Sequence, residues 1–284
     1  LNFIQCLTDR HHDKFVIEMY YGVEYVTGGT SLMGDWTKER AGRLREFFGL
    51  ETDAEVLAPS DSKFELRPGV AESLSHFNIE WHIIPSAQAL PLDDSYAARL
   101  YPTASREFAR AREHAPSYRE RIFEGHARQQ GRVIGVETTR KPHYLPGNRQ
   151  AYGSLYGHDP FADPFAPYVG RAGMVNGTRY AHNYLSLREF VRVLNEDWRA
   201  RALLPDGYRA TVCPPAVFNL VGTVFHPEWS ETETLELGFY RDEQGNATCF
   251  AVGSNAPGDF SYVRVVEGEE EWSLAGFRVA LVPE

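Results

Sequence analysis

Apolar and polar positions alternate most clearly over residues 75–84. Phe77, Ile79, Trp81 and Ile83 are apolar, whereas His76, Asn78, Glu80 and His82 are polar. Side chains of a strand alternate between faces, so the pattern predicts a strand with one greasy face and one bearing two imidazoles, an amide and a carboxylate. Pro85 would end it. Residues 15–26 are rich in β-branched and aromatic side chains and predict a long strand that stops at Gly28-Gly29. Thr37 is placed to cap a short helix over residues 38–48, with Ala41, Leu44 and Phe48 as its apolar stripe and Gly49 as its stop. A short strand is expected over residues 64–67.

Further along, the period changes. Pro102 and Pro116 bracket one helical segment, 103–115, and Ser117 with Glu120 opens another that Gly131 can close. Leu187, Phe190, Val191, Leu194 and Trp198 follow helical spacing after a Ser186/Glu189 capping box, and Pro205 falls just past the end. From Thr211 the pattern reads as strands. Leu235, Leu237 and Phe239 alternate towards the polar stretch 242–246, and a partner strand runs through Cys249 to Val252, which predicts a hairpin. Residues 262–266 and 277–282 continue an antiparallel meander. The expected fold is therefore a single α+β domain, 1–284. Its mainly antiparallel sheet could close as a barrel or stack as a sandwich, with about four peripheral helices around it.

Residues 140–185 break every period. They hold six glycines, five prolines and eight tyrosines or phenylalanines. So long a stretch without regular structure is usually a binding segment, a lid or a missed element. Lys141, His143, Arg149, Arg171, Arg179 and His182 are candidate substrate contacts there, because rings beside arginines suit a flat or anionic ligand. His158 and Asp159 could supply an acid/base pair, although Gly157 and Pro160 around them also suit a turn.

Composition narrows the field without naming a function. A net charge of −10 disfavours nucleic acid as a partner. The charge is uneven: residues 99–149 carry eleven Lys/Arg against five Asp/Glu, and 226–284 carry three against twelve. Pairing between the two regions, or their lying on opposite solvated faces, accounts for that more simply than an anion-binding face. No apolar run approaches the roughly 20 residues a transmembrane helix needs, and no secretory leader pattern opens the chain, so a cytoplasmic protein is expected. The first residue is Leu1, which leaves processing from a longer precursor open. Cys6, Cys213 and Cys249 are too few for a disulfide framework; reduced thiols are expected, with Cys213–Cys249 the one conceivable bridge.

Two short stretches carry the chemistry. On a strand, His76 and His82 lie roughly 20 Å apart and cannot share an ion, whereas Glu80 and His82 are roughly 6.6 Å apart on one face. His226 and Glu228 repeat that imidazole–carboxylate spacing in an aromatic setting. Side by side, Glu80, His82, His226 and Glu228 would form a mixed nitrogen/oxygen site for one divalent metal (iron, manganese or zinc) with positions left for water or substrate. An ordinary polar strand face would look the same. Cys213, before two prolines, is more simply a buried thiol than a nucleophile served by His226 or His182. No Walker loop, GxSxG, HExxH or dinucleotide fingerprint is present. Gly29-Thr30 with Met33-Gly34, and Gly276-Phe277-Arg278-Val279, resemble the opening and closing signatures of formylglycine-generating-enzyme and C-type-lectin-like domains. The central tryptophan-rich motifs and the cysteine pair of that family have no counterpart at matching positions, so no membership follows. Two functions fit these features: an enzyme acting on a small polar or anionic substrate, with or without the metal, and a non-catalytic ligand-binding module or subunit of a larger assembly, for which a homo-oligomer is one form.

Overall fold

Residue Arg278 divides one extended segment between two sheets, and the architecture follows from that division. In the computed structural model the described residues are 33–50, 64, 66–87, 99–100, 130–139, 143–145, 149–151, 163–174, 179, 182–231, 235–241, 247–253, 262–266 and 275–284. Contacts separate the chain after Asp35, and the unit from Trp36 to Glu284 holds both sheets. The first sheet contains β1 (Ile79–Ile84), β2 (Arg132–Glu137), β5 (Tyr208–Val212) and β10 (Val279–Pro283), in the order β1-β2-β10-β5 and antiparallel throughout. The second contains β6 (Leu235–Arg241), β7 (Ala247–Gly253), β8 (Tyr262–Val266) and β9 (Ala275–Phe277), in the order β8-β7-β6-β9. Here β6, β7 and β8 are antiparallel neighbours, and β9 runs parallel to β6. A small hairpin, β3 (His143–Leu145) with β4 (Arg149–Ala151), stands apart. The fold is α+β with largely antiparallel sheets, and neither sheet closes into a barrel among the described residues.

Both faces of the first sheet are buried, each against its own core. Ile134, Val136, Ala280 and Val282 point towards α1 (Met33–Phe48) and α5 (Pro215–Val224), together with Phe250 and Val252 of β7. Ile79, Ala210, Val212, Val279 and Leu281 point the other way. They meet α3 (Ala166–Arg171), α4 (Tyr184–Ala200) and the Leu235, Leu237 and Phe239 face of β6. Gly135 makes room on this second face. A Cβ there would stand 3.0 Å from Ile79 Cγ2, 3.1 Å from Leu281 Cβ and 3.2 Å from Trp81 Cη2. On α4, Leu187, Phe190, Leu194 and Trp198 are fully buried, and burying each contributes about 1.5–3 kcal/mol.

Several elements depart from the expected ones, each for a local reason. The strand expected over 75–84 begins only at Ile79. Pro68–Ser75 is a helix, α2, with Pro68 supplying a preset φ at its start, and Asn78 turns the chain at φ 53°. His76 therefore ends a helix, with Nδ1 at 2.9 Å from the Glu72 carbonyl, and belongs to no strand face. No strand forms at Phe64, Leu66 or Arg67. Helix α1 starts at Met33, so Thr37 lies inside it; Gly49, at φ 65°, stops it as expected. Asn183 caps α4, and Ser186 is the reciprocal partner three residues on. Residues 215–224, within the stretch from Thr211 expected to be strands, form a helix buried from Pro215 to Gly222. β2 was not anticipated, and 277–282 is broken at Arg278. The strand expected at 15–26 and the helices expected at 103–115 and 117–131 lie almost wholly outside the described residues. Among the described residues no helix is long and apolar enough to cross a membrane.

Candidate metal centre

Among the described residues β1 is an edge strand of the first sheet, and its even positions, Glu80 and His82, face the core that holds α1 and α5. The end of α5 packs over these two side chains. Phe225 caps the helix, and the His226 N–H donates back to the Val221 and Gly222 carbonyls at 3.1 and 3.2 Å, which fixes the turn that delivers the imidazole. A 3₁₀ turn, Pro227–Glu231, follows and buries Trp229 against it, with the two rings stacked at 4.8 Å and 10°. The result brings together side chains 146 residues apart in sequence: His226 Nε2 lies 3.3 Å from Glu80 Oε2. His82 Nε2 lies 3.9 Å from the same oxygen. One donor atom from each of Glu80, His82 and His226 lies within 4.8 Å of the others. Donors about 2.1 Å from one ion stand about 3–3.5 Å apart, so small side-chain adjustments would let these three share an ion.

His82 is the unusual member. It is wholly buried beside Phe225, at 4.9 Å between rings, and neither ring nitrogen has a hydrogen-bond partner. Burial and then the charge of Arg40 hold its imidazole well below the usual range, so it is neutral and has a lone pair to give. Burial alone would raise the Glu80 carboxyl. The hydrogen bond and charge of His226, with Arg40, overcome that and bring it down to about 2. Arg40, from α1, donates to Glu80 Oε2 at 2.8 Å and lies 5.0 Å from the centre of the Phe225 ring.

Glu228 meets His226 from the far side, Oε1 standing 2.8 Å from Nδ1. It orients the ring instead of joining the group of three. Two carboxylates thus flank one imidazole. A protonated His226 can donate to both; a neutral one donates to Glu228 and turns a lone pair towards Glu80 and His82. The second state is the one a metal-bound histidine adopts, its outer N–H fixed by a carboxylate.

The remaining candidates are elsewhere. Arg179 is fully buried on the opposite face of the first sheet, where Nη1 donates to Glu137 at 2.7 Å, a second ion pair joins it to Asp163, and Phe165 and Phe277 lie against its guanidinium. Its charge is spent inside the protein. Arg171 is exposed and paired with Asp197 at 2.9 Å on the surface of α3 and α4. His182 is buried edge-on to Phe277. None of these three belongs to the group formed by Glu80, His82 and His226. Lys141, His158 and Asp159 lie outside the described residues, and so do the side chains of His143 and Arg149. Cys213 and Cys249 are both free and buried, and burial pushes their thiols up, that of Cys249 to about 12. Cys213 is therefore not an activated nucleophile. Comparison with protein-family models, curated proteins and solved structures found no significant match.

Proposed function

We propose that this chain is a metal-dependent enzyme in which Glu80, His82 and His226 hold one divalent ion, with Glu228 orienting His226. The observation that carries the reading is His82, a fully buried imidazole with both nitrogens unpartnered, beside a carboxylate and a second imidazole. Each unpaired buried polar group costs about 1–3 kcal/mol, and an ion at Nε2 removes one such cost. Two histidines and one carboxylate suit zinc, iron(II) or manganese. A structural zinc site normally closes with four protein ligands; three, with Glu80 partly exposed, leave positions for water and a small polar substrate. Bound there, the ion would act as a Lewis acid and lower the pKa of a coordinated water. The protein's own part is to hold three donors on a rigid strand and a fixed turn, and to keep His82 neutral.

Metal analysis of the purified protein tests this. Wild type is expected to carry close to one equivalent of zinc, iron or manganese after dialysis, and His82→Ala to carry almost none. Metal-free wild type that also fails to take up these ions when they are supplied would end the proposal.

A further inference from the structure

A guanidinium stands inside this cluster of metal donors. Arg40 Nη2 bonds the same Glu80 oxygen that lies nearest to His82 and His226. Taken alone, that arrangement opposes a cation, since Arg40 repels it and competes for the carboxylate. Arg40 has no other hydrogen-bond partner among the described residues, and its remaining donors are not buried. The Phe225 ring and Glu80 hold the guanidinium in place, and the Arg40 side chain keeps 16% of its surface accessible, so those donors can be reached from solvent. Arg43, one turn further along α1, adds a second cation that is only loosely paired, at 3.5 Å, with Glu39. Once a divalent ion joins Arg40, the positive charges exceed those of Glu80 and Glu228.

We infer that the centre binds its metal together with a small oxyanion, one oxygen on the ion and the others on the free donors of Arg40, so that the substrate carries a phosphate or carboxylate group at the reacting end. The inference rests on the metal reading above and adds the substrate class to it. An oxygen bound to the ion would lie close to Glu80 Oε2, which is where Arg40 already reaches. Planar N–H forks match both oxyanions, and charge-assisted bonds of this kind are the strong ones.

Cobalt(II) titrations followed by visible absorption separate the two steps. Cobalt-loaded wild type should change its spectrum on addition of inorganic phosphate or acetate, and the stronger of the two responses identifies the group. In Arg40→Gln the affinity for that anion should fall about 10- to 100-fold, while cobalt affinity holds or tightens because a repelling charge has gone. Arg40→Lys, which keeps the charge beside Glu80, should recover part of the anion binding and guards against a folding defect in the first variant. Unchanged anion affinity in Arg40→Gln, or a cobalt spectrum that neither anion moves, overturns the inference and leaves the metal centre standing. Loss of cobalt affinity in Arg40→Gln with anion affinity intact would make Arg40 a support for Glu80 and likewise overturn it. If wild type binds no cobalt, both readings fall together.

Discussion

His82 concentrates the cost of the candidate centre in one residue. Without an ion it buries two unpaired nitrogens, so metal-free His82→Leu should be more stable than metal-free wild type by about 1–3 kcal/mol in urea denaturation. The pH dependence follows from the same group. Its folded-state pKa is depressed, so below about pH 6.5 the unfolded chain takes up a proton that the folded chain refuses. Stability then falls with pH, by up to about 1.4 kcal/mol per pH unit. Glu80 adds a loss of the same sign further down, as pH falls from the ordinary carboxylate range towards about 2. In His82→Leu the upper part of the slope should vanish; identical profiles for the two proteins would contradict this. The spacing of Glu80 with His82 was legible in the sequence because a strand puts both on one face; His226 and Glu228 repeat the spacing, but on a helix end and a 3₁₀ turn that the pattern does not reveal. Arg40 was not legible, because a charged residue on a short amphipathic helix looks like any solvated one.

Among the elements, α4 shows what periodicity reveals and what it hides. Its apolar stripe was plain, but nothing in the periodicity marks Asn195, on the same turn as Leu194. The structure buries it. Its amide nitrogen donates to the Ala210 carbonyl and its oxygen accepts from the Ala210 N–H, both at 2.8 Å. One side chain thus satisfies an edge position of β5, which no neighbouring strand pairs among the described residues. Asn195→Ala should cost about 2–4 kcal/mol, since two buried backbone groups lose their partners. Asn195→Asp, which can accept but not donate, should fall between. A loss below half a kcal/mol in Asn195→Ala would mean that water replaces the amide. The helix α5 was hidden for the opposite reason. Apolar residues all around leave no stripe to read, and β-branching then favours the wrong element; only Pro215 at the first position pointed to a helix start.

Across the whole molecule, the feature least visible in the sequence is Arg278. Residues 277–282 look like one strand, yet a fully buried arginine interrupts them. Its guanidinium pairs with Glu236 at 2.8 and 3.0 Å, donates to the Glu137 and Thr139 carbonyls, and lies 3.8 Å from the centre of the Trp229 ring. It joins the second sheet, the first sheet and the turn behind His226. Removing one partner of a buried pair strands the other, so Arg278→Ala should destabilise by about 3–5 kcal/mol, and Arg278→Met with Glu236→Leu by clearly less. If the double substitution costs as much as the sum of the two single ones, the coupling is absent. Alternation cannot foresee this, because partners 42 and 141 residues away decide it.

The position of β10 has a consequence for the order in which the protein can be made. It sits between β2 and β5, and it is β2 that supports β1. A ribosome that has released everything up to residue 270 has released Glu80, His82 and His226, but not the strand that locks their platform in place. If the three donors hold an ion as proposed, the growing chain should acquire it only after residues 279–283 have docked between β2 and β5.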